Sequence, residues 1–224
     1  MTRAKRLWVI DPSIHHAEDE CVEQILAGWT GERRIFRPSL SPGDGPGPGD
    51  GYDADGVVVL GSSASVHEPL PWLRDLGAWL KPLLDGRRAL PVLGICFGHQ
   101  LVAHLAGARV GVLRPDGGKD LGLRDTLLEG GSLLPGRHDL KVVVSHRETV
   151  ETLPDGYRVT ARRPEVPIDG LEHDDLPMFT FQFHPEARRD FVARRGMDPA
   201  AIDDRVVGDS NRLLDAFRRR VASS

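Results

Sequence analysis

Cysteine is scarce in this 224-residue sequence, which contains only Cys21 and Cys96. Two thiols exclude a disulfide framework and fit a reducing compartment in which a thiol stays available for chemistry. Positive charge is not in excess either. The sequence has 29 lysines and arginines against 33 acids and a net charge of -4, so no global field exists to hold a polyphosphate backbone, and nucleic acid is not expected as a partner. Long apolar runs are missing as well. Arg3, Lys5 and Arg6 precede Leu7-Trp8-Val9-Ile10, but Asp11 ends that run short of the about 7 to 15 residues of a signal-peptide core. Nothing approaches the roughly 20 residues that span a bilayer. The expected address is the cytoplasm, with no membrane partner. What the sequence does have is 40% hydrophobic and 28% charged residues, enough for a sizeable core, so one domain over residues 1–224 is expected.

The first half alternates strand and helix. Leu7 to Ile10, Val57 to Leu60 and Leu90 to Ile95 read as buried strands, with a further short strand at Arg34 to Arg37. Helical spacing appears from His16 to Trp29, through Trp72, Leu76, Trp79 and Leu83, where Pro82 predicts a kink or split, and from Phe97 to Leu105. Alternation of this kind is the signature of a parallel α/β sheet. Ser41 to Gly51 is Gly, Pro and Asp almost throughout and reads as a solvent loop. After residue 108 the strands are short, at Val110 to Leu113, Leu140 to Val144, Tyr157 to Ala161 and Met178 to Phe183, which predicts antiparallel or mixed pairing. A last helix is expected over Ser210 to Val221, with Arg212, Arg218, Arg219 and Arg220 solvated at its end.

Most lone cysteines in apolar stretches are small buried hydrophobes. Cys96 differs because Gly94-Ile95-Cys96-Phe97-Gly98 follows a buried strand and opens a helix, with the spacing of a nucleophile elbow. The turn lifts the side chain clear of the sheet, the glycines let strand and helix pass, and the helix N-terminus stabilises negative charge on sulfur. A thiol nucleophile needs a base, and Phe183-His184-Pro185-Glu186 supplies one. Pro185 favours extended backbone at His184, which would put His184 and Glu186 on one face.

Gly94-Ile95-Cys96-Phe97-Gly98-His99-Gln100 and Gln182-Phe183-His184-Pro185-Glu186 resemble the two signatures of class I glutamine amidotransferases. Val58-Val59-Leu60-Gly61-Ser62 resembles that family's oxyanion loop, and Ser145-His146-Arg147-Glu148 its SHGD segment, so the likeness covers roughly residues 55 to 190. It is nearest to the small stand-alone GMP-synthetase-like members. The resemblance implies a flavodoxin-like α/β fold, an open mixed sheet with helices on both faces. It further implies catalysis by Cys96, His184 and Glu186, an oxyanion hole from the N–H groups of Ser62 and Phe97, and substrate contacts from Gly61, Gln100, Ser145 and His146. Glutamine or a γ-glutamyl compound would be the substrate, with no metal and no cofactor. No ATP-binding P-loop or SGGxDS-like segment occurs. Ammonia would therefore pass to a synthetase partner chain, or the chain would act alone as a γ-glutamyl peptidase, or less readily serve as a regulatory binding module.

Two positions depart from the family pattern. Gly61-Ser62-Ser63 stands where Gly-Gly-Pro is usual, and a left-handed serine costs more than glycine, which predicts an oxyanion hole unformed at rest. Glu148 stands where aspartate is usual. Among other polar clusters, His15, His16, Glu18, Asp19 and Glu20 read as the acidic start of a helix rather than metal ligands. His173-Asp174-Asp175 reads as a solvent-facing turn, and His99 as a packing residue pointing away from the thiol.

Overall fold

The computed structural model describes residues 3–47 and 49–224, so Pro48 of the Gly/Pro loop lies outside the described residues. In chain order the elements are β1 (Arg6–Ile10), α1 (Asp19–Leu26), β2 (Glu32–Phe36), β3 (Gly56–Val59), α2 (Pro71–Leu84), β4 (Val92–Ile95), α3 (Phe97–Leu105), β5 (Val110–Val112) and β6 (Asp120–Glu129). They continue with β7 (Arg137–His146), β8 (Glu148–Val150), β9 (Tyr157–Arg163), β10 (Val166–His173), β11 (Met178–Phe181), α4 (Arg189–Ala193), a 3-10 turn at Pro199–Ala201 and α5 (Asp204–Ser223).

Nine strands form one sheet in the order β2-β1-β3-β4-β11-β10-β9-β6-β7, while β5 and β8 pair separately. The first five strands run parallel, in the order typical of flavodoxin-like sheets. The remaining pairings are antiparallel. Because side chains alternate along a strand, Leu7, Val9, Val58, Leu93 and Phe181 pack under α1, α4 and α5. Trp8, Ile10, Val57, Val59 and Val92 pack under α2 and α3 on the opposite face. The fold is thus a mixed sheet with helices on both faces, as the sequence pattern implied.

Several boundaries differ from expectation. Helix α2 runs unbroken through Pro82 to Leu84. Proline in the last turn forfeits one hydrogen bond, while Leu76, Trp79, Leu80 and Leu83 stay buried on one face. Helix α5 starts at Asp204, six residues before the expected Ser210, because the Asp203 carboxylate caps it by accepting from the Val206 N–H at 2.9 Å. Arg218 is not solvated. Its guanidinium donates to the Gln24 and Ile25 carbonyls at 3.0 Å each and so closes the C-terminal end of α1. Strands β6 and β10 had no counterpart in the sequence reading, since polar residues interrupt their apolar pattern. No helix among the described residues is long and apolar enough to cross a membrane.

Candidate active site

Strand β4 ends at a tight turn into α3, and Cys96 occupies it with φ 52° and ψ -100°. Among the described residues it is the only non-glycine with positive φ, a strain of about 1–3 kcal/mol that the surroundings must hold in place. The flanking glycines are dictated by packing. A Cβ on Gly94 would lie 2.7 Å from the Gly98 carbonyl oxygen, and one on Gly98 would overlap the Val59 carbonyl. The Cys96 N–H is fastened to the Phe181 carbonyl at 2.8 Å. Phe97 begins α3, so its N–H has no acceptor within the helix.

The His184 ring is buried beside the thiol. Its Nδ1 lies 2.8 Å from Glu186 Oε1, which fixes the proton on Nδ1 and leaves Nε2 as the basic atom, without a hydrogen-bond partner among the described residues. Burial opposes the imidazolium. The Glu186 carboxylate and the Cys96 sulfur outweigh that penalty and push His184 up to about 9. The expected extended segment is not what joins the pair. Strand β11 ends at Phe181, and Pro185 and Glu186 form a turn closed by the Ala187 N–H on the His184 carbonyl at 3.2 Å. The fixed φ of proline suits the second position of such a turn.

The loop after β3 approaches both groups. A Cβ on Gly61 would stand 2.9 Å from His184 Cε1 and 3.6 Å from Cys96 Cβ, so any side chain there would press on the His184 ring. Neither Ser62 nor Ser63 is left-handed, which removes the strain expected from serine in this loop. The Ser62 hydroxyl instead donates to the Pro12 carbonyl at 2.8 Å and accepts from the Ala64 N–H at 3.2 Å. A short local turn satisfies the serine without positive φ.

Every site residue named from the sequence except Phe97 lines one cavity of about 380 Å³. Phe97 does not line it, its ring being fully buried. Gln100 spends its amide donors on the Glu148 carbonyl at 2.7 Å and Gln182 Oε1 at 3.2 Å. Gln182 in turn donates to Cys96 Sγ at 3.7 Å. Ser145 Oγ is buried without a partner. His146 uses both ring nitrogens internally, on the Glu148 carbonyl and on Arg163, so its ring holds its own segment rather than reaching into the cavity. His99 bonds Thr180 at 2.8 Å on the far side of α3 and does not line the cavity.

Sequence reasoning missed part of the wall. Glu18 does stand at the start of α1, as its N-cap, but is buried. It lies between Arg194 and Arg195, the latter at 2.9 Å, in pairs separated by 176 and 177 residues that no local pattern announces. Lys119 and Arg147 also line the cavity, and neither has a carboxylate within ion-pair distance among the described residues. Partial enclosure and then the nearby Arg195 hold Lys119 below the usual lysine range. On the acidic side, Ser65 Oγ donates to the Glu148 carboxylate at 2.9 and 3.0 Å, and the Ser65 N–H to Glu68 at 2.7 Å.

Residues 46–191 match the family described as glutamine amidotransferase class-I. The chain belongs to this family. A GMP synthase [glutamine-hydrolyzing] from Hahella chejuensis is 31% identical over 160 residues, covering 66% of this chain and 28% of that protein. A subunit of GMP synthase [glutamine-hydrolyzing] from Pyrococcus abyssi is 38% identical over 98 residues, 43% of this chain and 51% of that protein. The match therefore spans about half or less of these relatives. A glutamine amidotransferase structure from Thermotoga maritima superposes with a TM-score of 0.76 at 21% identity, with 100% of each chain covered, which shows the class-I amidotransferase fold.

Proposed function

We propose that this class-I amidotransferase hydrolyses the side-chain amide of glutamine and delivers the ammonia to an acceptor. The observation that carries the reading is the meeting of the strained Cys96 elbow with the buried His184–Glu186 pair in one cavity. Cys96 passes its thiol proton to His184, the sulfur attacks the amide carbon, and electrons of the C=O bond move to oxygen. The N–H groups of Phe97 and Ser62 receive that oxyanion. Collapse expels the amine, which takes its proton from His184 and leaves as ammonia, and a γ-glutamyl thioester remains on Cys96. Water, deprotonated by His184, attacks the thioester and releases glutamate and the thiol. Glu186 orients the ring and stabilises its cation. Lys119, Arg147, Glu68 and Glu148 all line the cavity, and charges of both signs suit the charged ends of an amino acid.

GMP synthase relatives that hydrolyse glutamine support a synthetase partner as recipient. One observation favours a second reading. The cavity continues past His184 toward Glu18, Arg194 and Arg195, room that the larger leaving group of a γ-glutamyl peptide would need. The test is kcat/KM for glutamine and for γ-glutamyl dipeptides on the purified chain, with and without cell extract. Weak glutamine turnover that rises with extract supports the glutaminase. A dipeptide-to-glutamine ratio well above one replaces it with the peptidase.

A further inference from the structure

Arg163 is 4% exposed and lies behind the cavity, on β9. Its Nη1 donates to Asp120 Oδ2 at 2.6 Å, its Nε to Asp169 Oδ1 at 3.1 Å, and its Nη2 to His146 Nε2 at 2.8 Å. We infer that Arg163 is a positioning residue, one that fixes His146 as the neutral Nδ1–H tautomer and thereby holds the Ser145 to Glu148 segment in the shape that receives the amino-acid end of the substrate. The inference rests on reading that segment as a substrate contact.

An arginine has donors only, so the His146 nitrogen facing it must offer a lone pair. The ring proton is then confined to Nδ1, which donates to the Glu148 carbonyl at 3.0 Å. The same carbonyl receives Gln100, Gln100 bonds Gln182, and Gln182 reaches Cys96 Sγ. An unbroken hydrogen-bonded path thus runs from Asp169 and Arg163 through His146 to the thiol. Buried networks of this kind act as a unit, because a bond left unmade in a dry interior cannot be replaced by water. Ser145, adjoining His146, lines the cavity, and its buried hydroxyl has no partner among the described residues.

The groups around His146 agree with a neutral ring. Arg163 faces it from β9 with Asp169 of β10 behind. Asp120 of β6 lies 3.7 Å from Nε2 and is itself bound by Arg124 at 2.6 Å. His184 and His99 are its histidine neighbours, and the charge of His184 also disfavours a second one on the His146 ring. Burial first, then the guanidinium, lowers His146 to about 4, although Asp120 pulls the other way.

Two measurements decide it. Imidazole nitrogen NMR on the whole chain should show His146 as Nδ1–H and non-titrating between about pH 5 and 8. An Nε2–H tautomer, or titration near the ordinary histidine value, overturns the inference whether or not glutamine is the substrate. Second, Cys96 labelling is compared in wild type and Arg163→Met with two reagents, a diazoketone analogue of glutamine and iodoacetamide, which lacks an amino-acid end. The analogue should slow about tenfold, with a new ionisation near pH 6 as His146 is released, while iodoacetamide stays within about twofold. Arg163→Lys should recover part of the analogue rate. Equal slowing of both reagents makes Arg163 merely structural and overturns the positioning role. Should Arg163→Met not fold, Asp169→Asn replaces it, with a smaller loss of the same selectivity. A wild type that ignores the analogue but shows the Nδ1–H tautomer sinks the glutamine reading and leaves the His146 lock standing.

Discussion

The parallel half of the sheet, β2-β1-β3-β4-β11, buries apolar strands between two helical layers, and Val57, Val58, Val59 and Ile95 are all 0% exposed. In the antiparallel half, β10-β9-β6-β7, the buried side chains include Asp120, Thr126, Arg163, Asp169 and Glu172, at 4% exposure or less. Dispersion and the exclusion of water hold the first half, and neither tolerates extra volume. The second also buries Leu128, Leu140, Val142 and Val144, but paired charges lie buried among them, and removing one partner strands the other. The comparison assigns tasks as well. The close-packed half fixes the strained thiol, and the ion-paired half shapes the wall opposite it.

The largest effects should come from the close-packed half. Cys96→Ala should remove hydrolysis by about 10⁴-fold or more, and His184→Ala should cost substantially more rate than Glu186→Gln, because the carboxylate only orients the ring. Single-turnover thioester formation ranks the three. Peptide mapping after labelling should find Cys96 modified and Cys21 spared, since Cys21 is 1% exposed and burial raises its thiol well above the ordinary range. Equal labelling of the two cysteines would remove the elbow from the mechanism.

Two glycines sharpen the contrast between backbone and side-chain crowding. Gly98→Ala sets a methyl against the Val59 carbonyl, which belongs to a central strand and cannot move aside, so the melting midpoint should fall by the equivalent of about 1–3 kcal/mol. Gly61→Ala meets the His184 ring at 2.9 Å. It should leave the midpoint nearly unchanged while lowering kcat, because the ring yields at the expense of its aim. Thermal melts and kcat measured on both variants check this. Equal melting losses would break the distinction.

Titration separates His184 from the other two buried histidines. His184 is raised to about 9 in the fold, so its contribution is complete below an unfolded value near 6.5 and is lost as pH rises through about 9. His146 and His99 are lowered, to about 4 and about 3, in both cases chiefly by burial. Their contribution is complete above about 6.5 and is lost as pH falls below it, when the unfolded chain takes up protons that the folded chain refuses. Melting midpoints should therefore form a plateau near neutrality with two shoulders. Glu186→Gln should flatten the alkaline shoulder alone, because Glu186 is the leading group that raises His184. An alkaline shoulder unchanged in that variant would reassign it.

The same contrast decides what the sequence could disclose. The elbow was legible because its causes are local: a buried strand, two glycines and a helix start within five residues. The parallel strands were legible because burial on both faces leaves uninterrupted apolar runs, as in Val57 to Leu60. Strands β6 and β10 were not, because Asp120, Arg124 and Asp169 look solvent-facing until their partners are known, and Arg163 stands 43 residues from Asp120. The ion pairs of Glu18 with Arg194 and Arg195 were hidden for the same reason. The motif named Gln182 without a task, which only the Gln100 and Cys96 contacts supply.

The smallest effect concerns Ser62, where reading by resemblance and reading by contact disagree in sign. If serine strained the oxyanion loop, Ser62→Gly would speed turnover by easing a backbone flip. The backbone there is not left-handed, and the hydroxyl ties the loop to Pro12 and to Ala64. Glycine would remove both bonds and add backbone freedom of about 0.5–1 kcal/mol, so the proposed oxyanion donor would be less well held. A net hydrogen bond contributes about 1 kcal/mol. The expected outcome is therefore a loss of about three- to tenfold in kcat/KM for glutamine, with Ser62→Ala falling between glycine and the parent because it loses the bonds but keeps the stiffer backbone. Rates for the three chains under one assay order them. A gain for glycine over serine would show that the loop rests in an inactive shape after all, and that the ties to Pro12 and Ala64 hold it there.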